Sequence, residues 1–415
     1  MPEFQPPEPV DRMYSPPTTP PHLLTLVLLS GLSVVSLNMF LPSLNNISSD
    51  FQADYSIVNL SIAGYAGVTA ALLLIMGPLS DRFGRRPVIL GGLIIFSVAS
   101  LGCLLAADVW TFLFFRMMQG AIVSGYAVSL AVIKDSTAER GAASLIGYLS
   151  MAWAIGPMLG PAFGGILDEF FGWRTNFLAF CGFGMIALGL CWMDLGETNK
   201  NPSETIVKQF RAYPELLRSK QFWGYASCMA FSTGGFYAFL GGVPLVATTL
   251  FDVPPSAIGF YIGTITAGFI VGSFLSGKFA SRYKLTTMMI VGRVVACSGM
   301  SIGLILLFCG IVQAFTFFGA CTFYGIGNGL TLPSSNVGAM SVRPALAGSA
   351  SGLSGALAVA GGATISAITG AVLTADNAGY MLLVMMLFSS ALGLMSAIYT
   401  RWLDRQDNMT ATSDI

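Results

Sequence analysis

Apolar runs long enough to cross a lipid bilayer recur along almost the whole chain. A helix needs about 20 predominantly apolar residues to span the hydrocarbon core of a membrane. We find runs of that kind near 23–45, 56–79, 87–107, 111–133, 143–167, 175–196, 221–249, 256–280, 286–308, 312–336, 346–374 and 377–402. The sequence therefore predicts an all-α integral membrane protein with twelve transmembrane helices.

Charged residues are too few for a water-soluble protein of this length. They make up 10% of the 415 residues, against about 25% in a typical soluble domain. This composition excludes a soluble enzyme, a nucleic-acid-binding protein and a disordered chain. The 20 basic residues equal the 20 acidic ones, so no net charge favours nucleic acid, and the expected partner is the lipid bilayer.

A polar interval at 197–220 divides the twelve runs into two sets of six and is interpreted as a cytoplasmic linker. The predicted six-helix bundles are 23–196 and 221–402. A proline-rich cytoplasmic tail at 1–22 precedes them, and a second cytoplasmic tail at 403–415 follows.

The two halves also echo each other in sequence. The stretch from Gly77 to Phe83 follows the second run, and the similar stretch from Gly277 to Tyr283 follows the eighth. Two six-helix halves related as parallel repeats are a transporter architecture, in which the substrate site lies between the halves near the membrane midplane. The repeat therefore predicts a transporter.

Basic residues are concentrated on one side of the predicted membrane. With a cytoplasmic N-terminus, 17 of the 20 Lys and Arg residues fall in cytoplasmic segments, and only Arg174 falls in an outer loop. An excess of Lys and Arg marks the cytoplasmic side of a membrane protein. We therefore expect both termini in the cytoplasm and the protein in the plasma membrane, which is the inner membrane of a Gram-negative cell.

Three stretches carry more information than their hydrophobicity. They are Gly77-Pro-Leu-Ser-Asp-Arg-Phe-Gly-Arg-Arg-Pro87, Arg116-Met-Met-Gln-Gly120 and Gly156-Pro-Met-Leu-Gly-Pro-Ala-Phe-Gly-Gly165, together with Trp-Arg-Thr-Asn-Phe at 173–177 and Leu41-Pro42. These stretches resemble the major facilitator superfamily, and within it the twelve-helix drug:proton antiporters. The end of the first run is most similar to the bicyclomycin/chloramphenicol resistance (Bcr/CflA) subfamily.

The resemblance covers residues 23–402 and implies the major facilitator fold, with two six-helix bundles. It implies a monomeric secondary active transporter that exports small amphiphilic compounds such as antibiotics by alternating access, coupled to protons. A transporter of one specific metabolite, or a facilitator, on the same scaffold is the alternative, and a non-transporting membrane sensor is a remote one. We expect no enzymatic activity, no cofactor and no metal site, since the chain has no HExxH and no CxxC motif.

The first motif predicts a cytoplasmic gate. The resemblance implies that Asp81, in a short loop, docks against the start of the eleventh helix and holds the cytoplasmic side closed. A carboxylate there could also accept from a helix N-terminus. The predicted gate residues are Gly77, Asp81, Arg82, Gly84, Arg85 and Arg86. The alternative is a basic loop that only fixes the topology.

The third motif predicts a hinge in the fifth helix. Its prolines remove backbone donors and loosen the helix, and its glycines let neighbouring helices touch closely. The hinge residues are Gly156, Pro157, Gly160, Pro161, Gly164 and Gly165. Similar stretches mark exporters within the superfamily, but plain close packing would need the same residues, so both interpretations stay open.

Arg116 is the sharpest candidate for substrate chemistry. An arginine inside a membrane span costs about 2.5–3.5 kcal/mol on insertion scales and is therefore a functional candidate. Helical rise puts Arg116 and Asn38 about 8 Å and 10 Å below the outer ends of their helices, so the two can face each other. In the resembled family, an acid that carries the proton usually stands at the position of Asn38.

All 20 acids of this chain fall in loops, tails or helix ends, so no span offers Arg116 a carboxylate. We therefore expect the substrate itself to bring an acceptor and to be neutral or anionic, while protons remain the candidate coupling ion. The alternative is that Arg116 only attaches the fourth helix to carbonyls at the kink near Pro42.

Polar and aromatic residues inside the spans complete a predicted substrate pathway, since a site for amphiphilic molecules is mostly apolar with a few polar groups. The pathway consists of Asn38, Arg116, Gln119, Tyr126, Tyr237 and Asn328, and further candidates are Tyr65, Tyr148, Trp153, Phe236 and Tyr324. Arg293, two turns into the ninth helix, is interpreted as a topology determinant whose side chain extends to the cytoplasmic surface.

Overall fold

The structure is a computed structural model that describes residues 22–136, 156, 159–199, 213–279, 282–343 and 346–413. Within those ranges the chain is helical and contains no β-strand. Nine of the described helices are long and apolar enough to cross a membrane. The other three predicted spans are a fourth that a 3-10 turn interrupts, a fifth that lies partly outside the described residues, and a tenth that is less apolar.

The first half contains the spans that we number α1 to α6. They are α1 (Leu23–Asn38 and Leu44–Asp50, joined by a 3-10 turn at Leu41–Ser43), α2 (Tyr55–Phe83), α3 (Arg85–Leu105), α4 (Val109–Met118 and Val123–Ser136, joined by a 3-10 turn at Gln119–Ile122), α5 (described at 159–171) and α6 (Arg174–Asp194).

The second half contains α7 to α12, preceded by a short linker helix. They are the linker helix (Tyr213–Leu217), α7 (Lys220–Phe251), α8 (Pro255–Phe279), α9 (Leu285–Phe308), α10 (Ala314–Ser341), α11 (Ala347–Val372) and α12 (Ala378–Ser413). The bounds agree closely with the predicted runs except at the C-terminal end. There α12 continues to Ser413, through most of the predicted tail at 403–415.

Successive helices run in opposite directions, so their ends form two faces. We call the face that carries the α2–α3 turn, with Arg82, Arg85 and Arg86, the basic face. The other end, which carries the α1–α2 turn, is called the opposite face.

A single glycine makes the turn between α2 and α3, so the predicted loop is wrong. Residues from Gly77 to Phe83 form the last turns of α2, with Pro78 inside the helix. Gly84 has a φ of +97°, which residues with a side chain rarely adopt. A Cβ atom there would also collide with the Glu197 carboxylate. Glycine therefore allows an immediate reversal of the chain where a longer loop was expected.

Two spans are interrupted near the predicted pathway. The first segment of α1 ends at Asn38, and Pro42 lies in the 3-10 turn that follows, where its missing backbone donor is tolerated. The regular α-helix of α4 stops at Met118, and the 3-10 turn begins at Gln119. Such turns inside a helix often mark functional or strained positions.

The two halves pack along a boundary that we call the seam. Helix α2 packs along α11, and the 3-10 turn of α1 contacts both α7 and α8. The apolar core is continuous across the seam and includes the fully buried Phe177 of α6 and Phe239 of α7. The seam is therefore where the halves would have to separate for a pathway to open.

Candidate functional site

Arg116 lies inside the first bundle and is fully buried. Its guanidinium carbon is 4.2 Å from the centre of the Phe40 ring and 4.3 Å from the centre of the Tyr65 ring. A cation–π contact of this kind contributes about 2 kcal/mol where water is excluded. The two rings therefore supply part of the stabilisation that a carboxylate would otherwise give.

Arg116 also donates hydrogen bonds to acceptors on two segments. One terminal nitrogen lies 2.7 Å from Gln119 Oε1, and the other lies 2.8 Å from the carbonyl oxygen of Ser36. Gln119 Nε2 in turn donates to Ser100 Oγ at 2.7 Å. These bonds connect α1, α3 and α4, while Arg116 Nε has no partner. Within the described ranges, no carboxylate forms an ion pair with Arg116.

Asn38 lies at the end of the first segment of α1 and is also buried. Its Nδ2 donates to the Val34 carbonyl of the same helix at 2.8 Å, and its Oδ1 has no partner. Arg116 thus reaches α1 through the Ser36 carbonyl and not through the Asn38 side chain. The Ser36 bond attaches α4 to a backbone carbonyl of α1, as the alternative interpretation of Arg116 predicts. The acceptor is, however, the carbonyl of Ser36 and not one beside Pro42.

Arg293 corrects a sequence interpretation, because its side chain is fully buried and does not extend to the surface. Its Nε donates to Thr331 Oγ1 at 3.0 Å, and a terminal nitrogen donates to Asn328 Oδ1 at 2.6 Å. Its guanidinium carbon lies 5.6 Å from the centre of the Tyr324 ring. Acceptors on α10 hold the side chain inside the second bundle, and Nη1 is left without a partner.

The described pathway residues therefore do not form one group. Arg116 and Gln119 belong to the cluster in the first bundle, whereas Asn328 belongs to the cluster around Arg293. Tyr237 on α7 is buried and packs closely against Gly362 of α11. Of the other candidates, Tyr126 is half-buried on α4, Phe236 contacts the Tyr237 ring, and Tyr148 and Trp153 lie outside the described residues.

Asp81 of the predicted gate forms an ion pair with Arg85, four residues further along the chain at the start of α3. Arg85 is buried and also donates to Ser80 Oγ at 2.6 Å. Arg82 is exposed, and Arg86 donates to the Trp192 carbonyl at 2.9 Å. The expected docking site at the start of α11 includes residues outside the described ranges.

Glu197 and Asn199 were not recognised as part of this corner from the sequence. The Glu197 carboxylate accepts from the backbone nitrogens of Arg85 at 2.9 Å and Arg86 at 3.2 Å. It therefore satisfies the N-terminus of α3, a role that we had considered for Asp81. Asn199 Nδ2 donates to the Asp81 carbonyl at 2.7 Å. The signal available in the sequence was a carboxylate directly after the sixth apolar run, on the same predicted side of the membrane as the arginines between the second and third runs.

Three glycines of the predicted hinge, Gly156, Gly160 and Gly164, lie along one side of α5, against α1. A Cβ atom on Gly156 would come 2.6 Å from Val34 Cγ1, and one on Gly160 would be in ordinary contact with Met39. At Gly164 a Cβ atom would overlap the Met39 carbonyl oxygen, at the break of α1. These three glycines thus allow α5 and α1 to pack closely. Pro157 of the predicted hinge lies outside the described residues.

The next glycine of α5 contacts the other half of the molecule. A Cβ atom on Gly165 would overlap the Pro255 carbonyl oxygen at the start of α8. Gly259, one turn further along α8, lies equally close to the backbone of Ala162. Helix α5 therefore contacts both halves at the opposite face.

Hydrogen bonds also join the halves at the opposite face. Asn45 Nδ2 donates to the Pro244 carbonyl at 3.1 Å and to Thr248 Oγ1 at 2.7 Å. The Tyr55 hydroxyl donates to the Gly241 carbonyl at 2.7 Å. These bonds connect α1 and α2 to α7, so the seam is closed at this face.

Asn59 extends this closure to α11. Its Nδ2 donates to the Ser366 carbonyl at 2.8 Å. The side chain fits between Gly241 of α7 and Gly370 of α11, where a Cβ atom on either glycine would come too close to it. A side chain of α2 thus bonds α11 and packs on α7.

Curated relatives are similar to this chain over most of its length. Residues 26–367 match the family model of the Major Facilitator Superfamily. An uncharacterized MFS-type transporter, YdgK of Bacillus subtilis, is 30% identical over 83% of this chain and 87% of its own length. A bicyclomycin resistance protein homolog of Haemophilus influenzae is 26% identical, over 88% and 92% respectively. A chloramphenicol resistance protein of Pseudomonas aeruginosa is 29% identical over 65% of each chain.

Solved structures share the fold. A bacterial homolog of the human lysosomal transporter Spinster, in an inward-facing and unoccupied conformation, has a TM-score of 0.73. It is 18% identical, and the match covers 92% of this chain and 96% of the other. A D-xylose-proton symporter has a TM-score of 0.72 at 15% identity, over 91% and 96%. At these identities the likeness concerns the fold alone.

Proposed function

The chain belongs to the major facilitator superfamily, and from that membership we propose that it exports small amphiphilic compounds by alternating access between its two bundles. It is a membrane transporter and not an enzyme, with relatives described as bicyclomycin and chloramphenicol resistance proteins. The observation that carries the proposal is the packing of α5, where Gly164 faces α1 and Gly165 faces α8. The exporter-like stretch therefore lies at the seam, where the halves separate when the opposite face opens.

We infer that Arg116 binds an acceptor of the substrate. Its charge is compensated only by dipoles and aromatic rings within the described ranges, and its Nε points to no acceptor. A buried charge without full compensation is costly, so an acceptor on the ligand would be stabilised there. The substrate is accordingly neutral with strong acceptors, or anionic, and not a bare cation.

The remaining elements of the proposal concern direction, energy and location. By the positive-inside rule, the basic face lies in the cytoplasm, with both termini on that side. The protein acts as a monomer in the plasma membrane. The end of α2, where Asp81 pairs with Arg85 of α3, acts as the cytoplasmic gate. Protons drive export, although Asn38 takes the position where relatives usually carry an acid.

Transport by purified protein in liposomes with an imposed pH gradient tests this function. Chloramphenicol serves as the neutral probe, ethidium as the lipophilic cation, and a pH dye inside the vesicles reports proton movement. We expect chloramphenicol transport that is accompanied by proton movement. Arg116→Ala should abolish binding, and Arg116→Lys should keep the charge but lose the forked geometry that reaches Gln119 and Ser36.

Arg405→Ala is the control, because Arg405 is exposed near the end of α12. It should transport as the parental protein does. Normal binding by Arg116→Ala, or transport of ethidium alone, would contradict the inferred substrate class. Transport confined to a single metabolite would support the alternative, a specific transporter without a helix-one acid.

A further inference from the structure

A buried carboxyl group lies near the end of α5 at the opposite face. Asp168 is 5% exposed, although the sequence only marked it as an acid at a helix end. Its neighbour Glu169 is exposed. The two carboxylates are adjacent in sequence, but only that of Asp168 is withdrawn from water.

Asp168 is surrounded by neutral polar groups. Its Oδ2 accepts from Asn46 Nδ2 of α1 at 2.8 Å, and the Ser43 hydroxyl is a second neutral donor beside the carboxylate, while Oδ1 has no partner. Asn176 of α6 lies in the same region, since its Nδ2 donates to Ser43 Oγ at 3.1 Å and to the Gly164 carbonyl at 3.2 Å. Asn176 Oδ1 is also buried without a partner. The site therefore holds two acceptors that lack a donor.

No cation pairs with Asp168 within the described ranges. At the opposite-face ends of the elements around it, the charged groups are Asp50 of α1, the exposed Asp54 before α2, Arg174 of α6, Glu169, and Asp252 directly after α7. Arg174 forms its ion pair with Asp50, and Glu169 and Asp252 are exposed. Withdrawing a carboxylate from water without a counter-charge favours its neutral, protonated form.

Asp168 is close to the contacts that close the seam. Gly165, nearly one turn before it, touches Pro255 of α8. Its partner Asn46 directly follows Asn45, which bonds α7. Residues three apart lie on the same side of a helix, so separating α8 from Gly165 would open the side of α5 that carries Asp168 to water, and closing the seam would cover it again.

We propose that Asp168 is a proton-operated switch of the opposite face, which closes when the carboxyl binds a proton and opens when it releases one. The proton comes from water at that face, bonds to Oδ1 and returns to the same water, so the step moves no proton across the membrane. This proposal rests on alternating access but not on the identity of the substrate. It makes the closed state more populated as the pH at that face falls.

Accessibility of the seam at different pH values tests the switch. Ser256→Cys introduces a thiol at the start of α8, beside Gly165, in the full chain in membrane vesicles. A membrane-impermeant maleimide is applied from mildly acidic to mildly alkaline pH. Because thiol reactivity itself depends on pH, rates are compared between variants at the same pH. Asp168→Asn, which imitates the neutral carboxyl, should be modified slowly throughout, so that its rate falls increasingly below the parental rate as pH rises.

Glu169→Gln is the matched control and should follow the parental protein at every pH. Asn46→Ala is a second variant, because it removes the amide that stabilises the carboxylate. It should move the midpoint of opening to higher pH by about one unit. A constant ratio between Asp168→Asn and the parental protein would overturn the proposal. If Asp168→Asn does not fold, an unchanged midpoint in Asn46→Ala would overturn it. Neither result depends on whether chloramphenicol is transported.

Discussion

Each half of the molecule contains one buried arginine without a carboxylate partner among the described residues. Arg116 is paired with Gln119, and Arg293 is paired with Asn328. Each guanidinium also lies near an aromatic ring, and each has one nitrogen without an acceptor. The charge in each bundle is therefore stabilised by neutral dipoles, so the Gln119 and Asn328 amides contribute to the stability of a buried charge.

The second cluster gives a prediction about stability. Arg293→Met removes the charge at similar volume and leaves only neutral polar partners. Asn328→Leu removes the acceptor and leaves the buried charge poorly compensated, which should cost about 2–3 kcal/mol more. Thermal unfolding of the purified variants in detergent measures the difference. An equal or greater loss in Arg293→Met would mean that the guanidinium itself, and not its compensation, determines the stability of the bundle.

Helix α5 serves two contacts at once because its glycines lie on more than one side. Gly156, Gly160 and Gly164 are spaced by four residues and therefore follow one side of the helix, against α1. Gly165 is turned by one residue and faces α8. The same stretch thus fixes α5 within its own half and lets it approach the other half.

Gly165→Ala should impair closure of the opposite face without unfolding the first bundle. The added methyl group would overlap the Pro255 carbonyl, so α5 and α8 could not approach fully. We expect slower transport of chloramphenicol and faster maleimide modification of the thiol introduced by Ser256→Cys. Gly189→Ala is the control, because a Cβ atom on that glycine of α6 meets nothing within 4 Å. Equal transport by the two variants would exclude a role of this contact in closure.

At the scale of the whole molecule, the polar contacts that the described residues make across the seam lie at the opposite face, through Asn45, Tyr55 and Asn59. At the basic face, Glu197 and Asn199, in the segment that follows α6, bond the α2–α3 corner. Since α2 also packs along α11, movement of this corner relative to the second half would open the basic face.

Asp81→Asn should leave membrane insertion and thermal stability unchanged and reduce transport. The Asp81 side chain is partly exposed, and Arg85 keeps its hydrogen bond to Ser80 Oγ in the variant, so losing the pair should cost little stability. The expected effect therefore concerns the gate of the basic face and not the fold. Glu215→Gln is the control, because Glu215 pairs with Arg343 on the same face outside the α2–α3 corner. Transport by Asp81→Asn at the parental rate would remove Asp81 from the gate.

The sequence by itself determined the helices and the family. Apolar length fixes where a span can lie, because a bilayer offers no partners for an unbonded backbone. The predicted runs therefore match α6 to α9 and α11 within a few residues. The motifs at Gly77, Arg116 and Gly156 were sufficient to indicate the superfamily. The motif predicted a loop between α2 and α3, whereas Gly84, at a positive φ, reverses the chain in one residue.

Only the tertiary structure decided what each polar side chain meets. Arg293 is buried because Asn328 and Thr331, on the neighbouring helix, offer acceptors at short range. Asp168 is buried where Asn46 of α1 bonds it and α8 packs on the same side of α5 at Gly165, whereas Glu169 beside it stays in contact with solvent. Hydrophobic periodicity reports the average environment of a helix face. The partner of a single charge is set by residues distant in the chain, which packing alone brings together.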